Sequence, residues 1–284
     1  MSLLGWAYGA YVRVLFVLQL PLLLGSYLAP ATGREYGVGL AAKLRLLLRI
    51  RKALRKIPTA SHFLEHVALV GAVLNVPRAL GGGVVECGCY KGGSTASLSL
   101  ACAAVGRTLH VFDSFAGLPE PDAHDRVHLL PDVRVLHSYE AGAWCGTLDE
   151  VKANVGRYGA IESCRFHPGY FAETLPDFHE RCVLAFLDVD LVESLKPCLK
   201  RLWPLLAEGG LVFSHEASHH EIAGVFFDAA WWRAELGQPA PGLVGAGSGL
   251  GLVPAPGAFR SDLGYTVKNP AALGLRGVPQ PGLT

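Results

Sequence analysis

Val84-Val-Glu-Cys-Gly-Cys-Tyr-Lys-Gly-Gly-Ser-Thr95 is the stretch whose reading decides the fold. A short β-prone run meets glycines at 88, 92 and 93 and then a helix-compatible segment, so a strand turns into a helix around a glycine-rich bend. Glycine lets backbone approach a ligand closely, and a helix N-terminus offers unpaired N–H groups to an anion. The next apolar run, Val111-Phe-Asp113, ends in an acid that can hold a ribose diol. The bend therefore predicts a nucleotide-like ligand. Its spacing, Glu86-x-Gly88-x-x-x-Gly92-Gly93, departs from the G-x-G-x-x-G dinucleotide fingerprint and points to S-adenosylmethionine rather than NAD.

Downstream of the bend, strand and helix signals alternate. Strands are expected over 83–87, 108–112, 163–167, 182–187 and 210–214, and helices over 93–105, 147–157, 193–206 and 217–236. A further helix over about 60–76 leads into the first strand. Such alternation means a parallel α/β sheet with helices on both faces. Leu243 to Pro254 reads as two strands around a Gly-Ser-Gly turn, an antiparallel edge that closes the sheet. Residues 268–284, rich in Pro and Gly, read as a loose tail.

The net charge of +1 conceals an asymmetry. Residues 1–57 hold nine Lys/Arg against one acid, Glu35, whereas the rest holds 16 against 23. A mildly acidic globular domain argues against nucleic acid as partner. Seven cysteines, an odd number scattered through apolar runs, read as reduced buried thiols, and Cys87-x-Cys89 lacks the second pair a metal knuckle needs.

The basic excess marks off an arm. Leu3 to Leu28 is nearly all apolar, with Arg13 its only charge, long enough to cross a bilayer. An uncleaved anchor or re-entrant segment is the preferred reading over a signal peptide; a helix packed on the domain or at a dimer interface, hence a homo-oligomer, is the alternative. Residues 38–57 follow as a two-faced helix, with Arg45, Arg49, Lys52 and Lys56 on one side and Leu40, Leu44, Leu47, Ile50 and Leu54 on the other. Seven basic residues between 43 and 56, with no acid, suit an anionic membrane surface, a solvated basic face being the plainer account. Positive charge after an apolar segment places the remainder on the cytoplasmic side of the membrane. The expected division is a membrane-associating arm over 1–57, a catalytic domain over 58–267 and a tail over 268–284.

In open α/β sheets ligands sit at the carboxyl ends of the strands. Glu86 there can pair with an amino group or serve as a capping acid, and Asp113-Ser114 can hold a ribose or close a turn. His167-Pro-Gly-Tyr170 offers an aromatic to cover a base or pack. The fourth run ends Leu187-Asp188-Val189-Asp190 and the fifth Ser214-His215-Glu216. If these are neighbours, about 4.8 Å apart, Asp188, His215 and Glu216 converge as a divalent metal site or a general base would require. Asp190-x-x-Glu193 reads as a capping box, and His219, His220 and Glu221 lie one helical turn further on.

Glu86-Cys-Gly-Cys-Tyr-Lys-Gly-Gly93, Phe112-Asp-Ser-Phe-Ala-Gly-Leu-Pro-Glu-Pro121, Thr147-Leu-Asp-Glu-Val-Lys-Ala-Asn154, Arg165-Phe-His-Pro-Gly-Tyr-Phe-Ala-Glu-Thr-Leu-Pro176 and Leu187-Asp-Val-Asp-Leu-Val-Glu-Ser194 resemble successive blocks of the macrocin O-methyltransferase family, over about residues 58–236. The resemblance implies a Rossmann-like class I methyltransferase fold with a mostly parallel seven-stranded sheet, S-adenosylmethionine as methyl donor, and a hydroxyl of a sugar, natural product or glycolipid as acceptor. Cofactor contacts then fall to Glu86, Gly88, Gly92, Gly93, Asp113, Ser114 and Tyr170. The family's magnesium is bound by an Asp after strand four, matched by Asp188, and an Asp-Asp pair after strand five, where this chain has His215-Glu216. Three readings follow: another divalent metal such as manganese at Asp188, His215 and Glu216; His215 and Asp188 as catalytic groups, His215 being the base; or a non-catalytic binding or scaffold subunit of a membrane complex.

Overall fold

The computed structural model describes residues 14, 21, 24–122, 125, 128–129, 135–137, 139–217, 219–245 and 263–273. Helices α1 (Leu40–Leu54) and α2 (Phe63–Asn75) lead into a sheet built from β1 (Gly83–Cys87), β2 (Leu109–Asp113), β5 (Cys164–Pro168), β6 (Cys182–Leu187), β7 (Leu206–Ser214) and β8 (Gly264–Val267). Helices α3 (Gly93–Val105), α4 (Leu148–Tyr158), α5 (Phe171–Thr174), α6 (Val192–Leu205), α7 (His220–Val225) and α8 (Ala229–Leu236) connect them. A separate antiparallel pair, β3 (His128–Leu129) and β4 (Val135–His137), lies between β2 and α4 in the chain.

The sheet order is β5-β2-β1-β6-β7-β8, parallel throughout except that β8 runs against β7. The chain winds outward from β1 in both directions, so the β1/β6 boundary is the topological switch point where open α/β sheets bind ligands. Strand pleating sends alternate residues of β1 to opposite layers: Val84 packs with α2 and α3, Val85 and Cys87 with α6 to α8. Both faces of the sheet are thus covered, and β2 and β6 are buried along their whole length.

The described sheet has six strands where seven were expected. An antiparallel edge exists, but β8 supplies it from Gly264–Val267. Of the expected 243–254 hairpin, only Leu243 to Gly245 is described, Val244 bridging Tyr265; the remainder lies outside the described residues. The single helix expected over 217–236 is two, because Asp228 interrupts it and caps α8 by accepting from Trp231 N–H at 3.0 Å. Residues 268–273 are docked rather than loose: Lys268 N–H donates to Gly210 C=O, and its Nζ donates to the carbonyls of Trp203 and Leu206.

The arm is partly absorbed into the core. Helix α1 buries Lys43, Leu46, Ile50 and Ala53, so its inner face is rotated from the leucine line read in the sequence, and Leu40, Leu44 and Leu48 face outward. Lys43 on that inner face is satisfied because its Nζ donates to the carbonyls of Leu28, Ala29 and Thr32, at the end of the helical turn at 24–28. Among the described residues no helix is long and apolar enough to cross a membrane, and most of residues 1–23 lie outside them.

Candidate active site

Register sets the site. Cys87 pairs with Phe112 and Leu187, and Leu187 pairs with Ser214, so the carboxyl ends of β2, β1, β6 and β7 stand level. The next residues continue the ladder: Gly88 N–H donates to Phe112 C=O, Asp188 N–H to Cys87 C=O and His215 N–H to Leu187 C=O. Gly88, Asp188 and His215 therefore line up side by side along one cavity of about 520 Å³, a size suited to a small-molecule site.

The three glycines of the bend serve the protein's own packing. At Gly88, φ is +85° and a Cβ would meet Asp188 O at 1.8 Å; Gly92, also at +85°, precedes α3 in the left-handed region; a Cβ on Gly93 would meet the Thr59 side chain at 2.9 Å. Only Gly88 of the three reaches the cavity wall. Asp113 lies across from it, nine-tenths buried, its two carboxylate oxygens accepting from Cys89 N–H and Phe115 N–H at 2.7 Å each. Burial raises its pKa, and these amides partly offset the rise. Ser114 Oγ donates to Gly117 C=O, shaping the turn. Tyr170 stands at the rim, 39% exposed, while the rings of Tyr90 and Trp144 meet edge to face at 5.5 Å on the same cavity.

Glu86 is placed differently from the expectation of a direct ligand contact. Pleating turns it to the α3 side of β1, fully buried and off the cavity wall. Burial pushes its carboxyl up to about 8, the nearby Ser94 and Thr95 hydroxyls easing it down without a well-formed hydrogen bond to either oxygen.

At the far end the expected convergence is realised. His215 Nδ1 lies 3.3 Å from Asp188 Oδ1 and 3.8 Å from Glu216 Oε1. Its other nitrogen, Nε2, lies 3.4 Å from Glu65 Oε2, an acid on α2 that the sequence did not single out. Burial alone would lower the pKa of His215, but the charges of Asp188 and Glu65 raise it well above the usual histidine value. Burial raises Asp188, yet His215 brings it below the usual carboxylate range; burial and the neighbouring acids raise Glu216. Both ring nitrogens of His215 thus face carboxylates, an arrangement that favours the protonated imidazole.

Asp190 does not cap α6. Leu191 is the residue before that helix, and Asp190, with φ of +61°, turns its side chain toward Tyr139, burial raising its carboxyl to about 7. His219 lines the cavity beside Tyr139, and His220 pairs outward with Glu221 at 2.9 Å. Glu65, Tyr139 and Trp144 escaped the sequence reading because each arrives from outside the strand ends. The one local sign for Glu65 was an acid within an apolar helix, where His62-x-x-Glu65 forms a capping box.

A doubly wound sheet, with a glycine bend at β1, an acid closing β2 and a polar cluster beyond β6 and β7, places a nucleotide-type cofactor site at the topological switch point, an arrangement that class I S-adenosylmethionine-dependent methyltransferases share. The chain belongs to the macrocin-O-methyltransferase (TylF) family, whose model matches residues 67–230, and is an S-adenosylmethionine-dependent O-methyltransferase. The structure of the O-methyltransferase NovP shares the fold with a TM-score of 0.60 at 22% identity, covering 79% of this chain and 98% of that one. The calicheamicin methyltransferase CalS11 aligns with a TM-score of 0.53 at 18% identity, covering 79% and 92%. No curated protein matches the chain.

Proposed function

We propose that this enzyme moves the methyl group of S-adenosylmethionine to a hydroxyl of a sugar, natural product or glycolipid, at the cytoplasmic surface of a membrane. The observation that supports methyl transfer is one cavity lined by Asp113 and Ser114 after β2 and by Asp188, His215 and Glu216 after β6 and β7. Donor and hydroxyl held in one cavity can meet in line, and alignment is the main catalytic contribution such a site makes. The hydroxyl oxygen bonds to the methyl carbon as the carbon–sulfur bond breaks, the sulfonium becomes a neutral thioether, and the hydroxyl proton passes to the Asp188 carboxylate and on to solvent. Asp188, Ser114, Asp113, Gly88 and Tyr170 would line the donor and reacting centre. Glu86, Gly92 and Gly93 act behind the wall by setting the bend. A divalent cation held by Asp188, His215 and Glu216 would lower the cost of deprotonating the hydroxyl.

What supports the membrane reading is the outer face of α1. Leu40, Leu44 and Leu48 are exposed beside Arg45, Arg51, Lys52, Arg55 and Lys56, with no acid in the helix. An apolar ridge flanked by cations fits an anionic lipid surface. Residues 1–57 would then serve as the membrane-associating arm of a catalytic domain that follows. The test compares lipid and glycan extracts from cells with and without the protein by mass spectrometry. A species lighter by one CH₂ in the deletion is expected; identical extracts, together with no methyl transfer to any sugar acceptor by the purified enzyme, overturn the assignment.

A further inference from the structure

We propose that Glu65 fixes His215 as a nitrogen ligand, so that Asp188, His215 and Glu216 take a transition-metal dication of the iron, cobalt or zinc class in preference to magnesium. The inference rests on the methyltransferase reading above and concerns the acceptor end of the same site.

Two independent observations carry it. The first is Glu216, a carboxylate only 2% exposed whose two oxygens have no hydrogen-bond partner. A buried carboxyl whose oxygens make no hydrogen bond is costly, and ligation to a cation would remove that cost. Ligand atoms of Asp188, His215 and Glu216 all lie within 4.8 Å of one another. Separations of 3.3 and 3.8 Å from His215 Nδ1 to the two carboxylates approach those of neighbouring ligands on one ion with bonds of about 2.1 Å.

The second is the clamp on the imidazole. Glu65 is itself held, since its Oε2 accepts from His62 N–H at 2.7 Å, and the same oxygen faces His215 Nε2. With the Nε2 proton held by Glu65, a cation that displaces the proton on Nδ1 would meet a lone pair directed at the gap between Asp188 and Glu216. A carboxylate that orients a ligating histidine in this way is a general feature of transition-metal sites. His66, the other buried histidine nearby, has its nitrogens engaged by Ser61 and Ser97 and is no competitor. Magnesium favours all-oxygen ligation, whereas imidazole suits later transition metals such as iron, cobalt and zinc, so exchanging an oxygen donor for His215 shifts the preference.

The experiment uses the full chain stripped of metal, with cobalt(II) as a spectroscopic probe and S-adenosylhomocysteine binding measured in parallel. One equivalent of cobalt should give a visible absorption band that His215→Ala abolishes and excess magnesium does not displace. Glu65→Gln should weaken cobalt binding by roughly 10–100-fold while S-adenosylhomocysteine binding stays unchanged. His215→Asp should restore competition by magnesium. Magnesium competing on equal terms with the native chain overturns the proposal. So does a protein that binds S-adenosylhomocysteine but no cobalt, in which case His215 is an internal counter-ion to Glu65 and Asp188. Cobalt bound as described without any S-adenosylhomocysteine binding would instead defeat the methyltransferase reading and leave the metal site standing.

Discussion

Glu65 Oε2 stands 3.4 Å from His215 Nε2, joining the helix that precedes the sheet to the end of β7 across 150 positions of sequence. The contact makes α2 part of the acceptor site as well as of the core, because Leu64, Val67 and Val70 on the same helix are buried. Movement of α2 would reach His215 directly.

Asp113 is expected to govern donor binding. Its carboxylate ties Cys89 N–H and Phe115 N–H together while lining the cavity, so Asp113→Ala removes both the turn and the ribose acceptor. Loss of two charge-assisted hydrogen bonds costs on the order of 2–4 kcal/mol, and calorimetry should show S-adenosylhomocysteine binding weakened by at least about tenfold. Binding unaffected by this change would count against the donor site.

Gly88 tolerates no side chain. With φ at +85° and Asp188 O 1.8 Å from a built Cβ, Gly88→Ala must push β1 and β6 apart where both halves of the site meet. A cost of roughly 2 kcal/mol or more is expected, seen as a melting temperature several degrees lower with donor affinity reduced. Gly106→Ala is the control: it shares a positive φ but meets nothing within 4 Å, and should leave binding intact.

Stability should fall as pH rises from about 4.5 to 8 on account of Glu86, whose carboxyl stands near 8 in the folded chain. A raised pKa means that the native state holds the proton more tightly than the unfolded chain. The stabilisation is therefore complete below the ordinary value of 4.5 and is lost on passing through about 8. Glu86→Gln, which stays neutral, should flatten the melting-temperature profile over that window. A profile as steep as that of the native chain would show that Glu86 is not the group responsible.

The outer face of α1 predicts lipid binding. Replacing exposed Leu44 and Leu48 with serine should reduce co-sedimentation with anionic vesicles several-fold and leave the melting temperature within about a degree, since neither side chain is buried. Raising salt should weaken the native chain's binding as well, through screening of Arg45, Arg51, Lys52 and Arg55. Equal sedimentation of variant and native protein would rule this face out.

Local sequence carried β1 and α3 almost to the residue, because a β-branched run, left-handed glycines and a helix start within 20 positions are a self-contained signal. It misplaced the inner face of α1, because a lysine reads as solvent-facing in sequence, whereas Lys43 is buried with its Nζ bonded to the carbonyls of Leu28, Ala29 and Thr32. It also misread Asp190, since a capping box and a cavity-facing acid share one spacing and differ in the sign of φ.

The sequence by itself determined the alternation of strands and helices, the glycine bend and the acids that end each strand, for these depend on residues close together in the chain. Only the tertiary structure decided what those glycines accommodate. Gly88 makes room for the backbone of Asp188, a hundred positions away, and pleating takes Glu86 off the cavity wall. Likewise it alone set Glu65 against His215, because strand register and the packing of α2, neither encoded in any local pattern, bring those two side chains together.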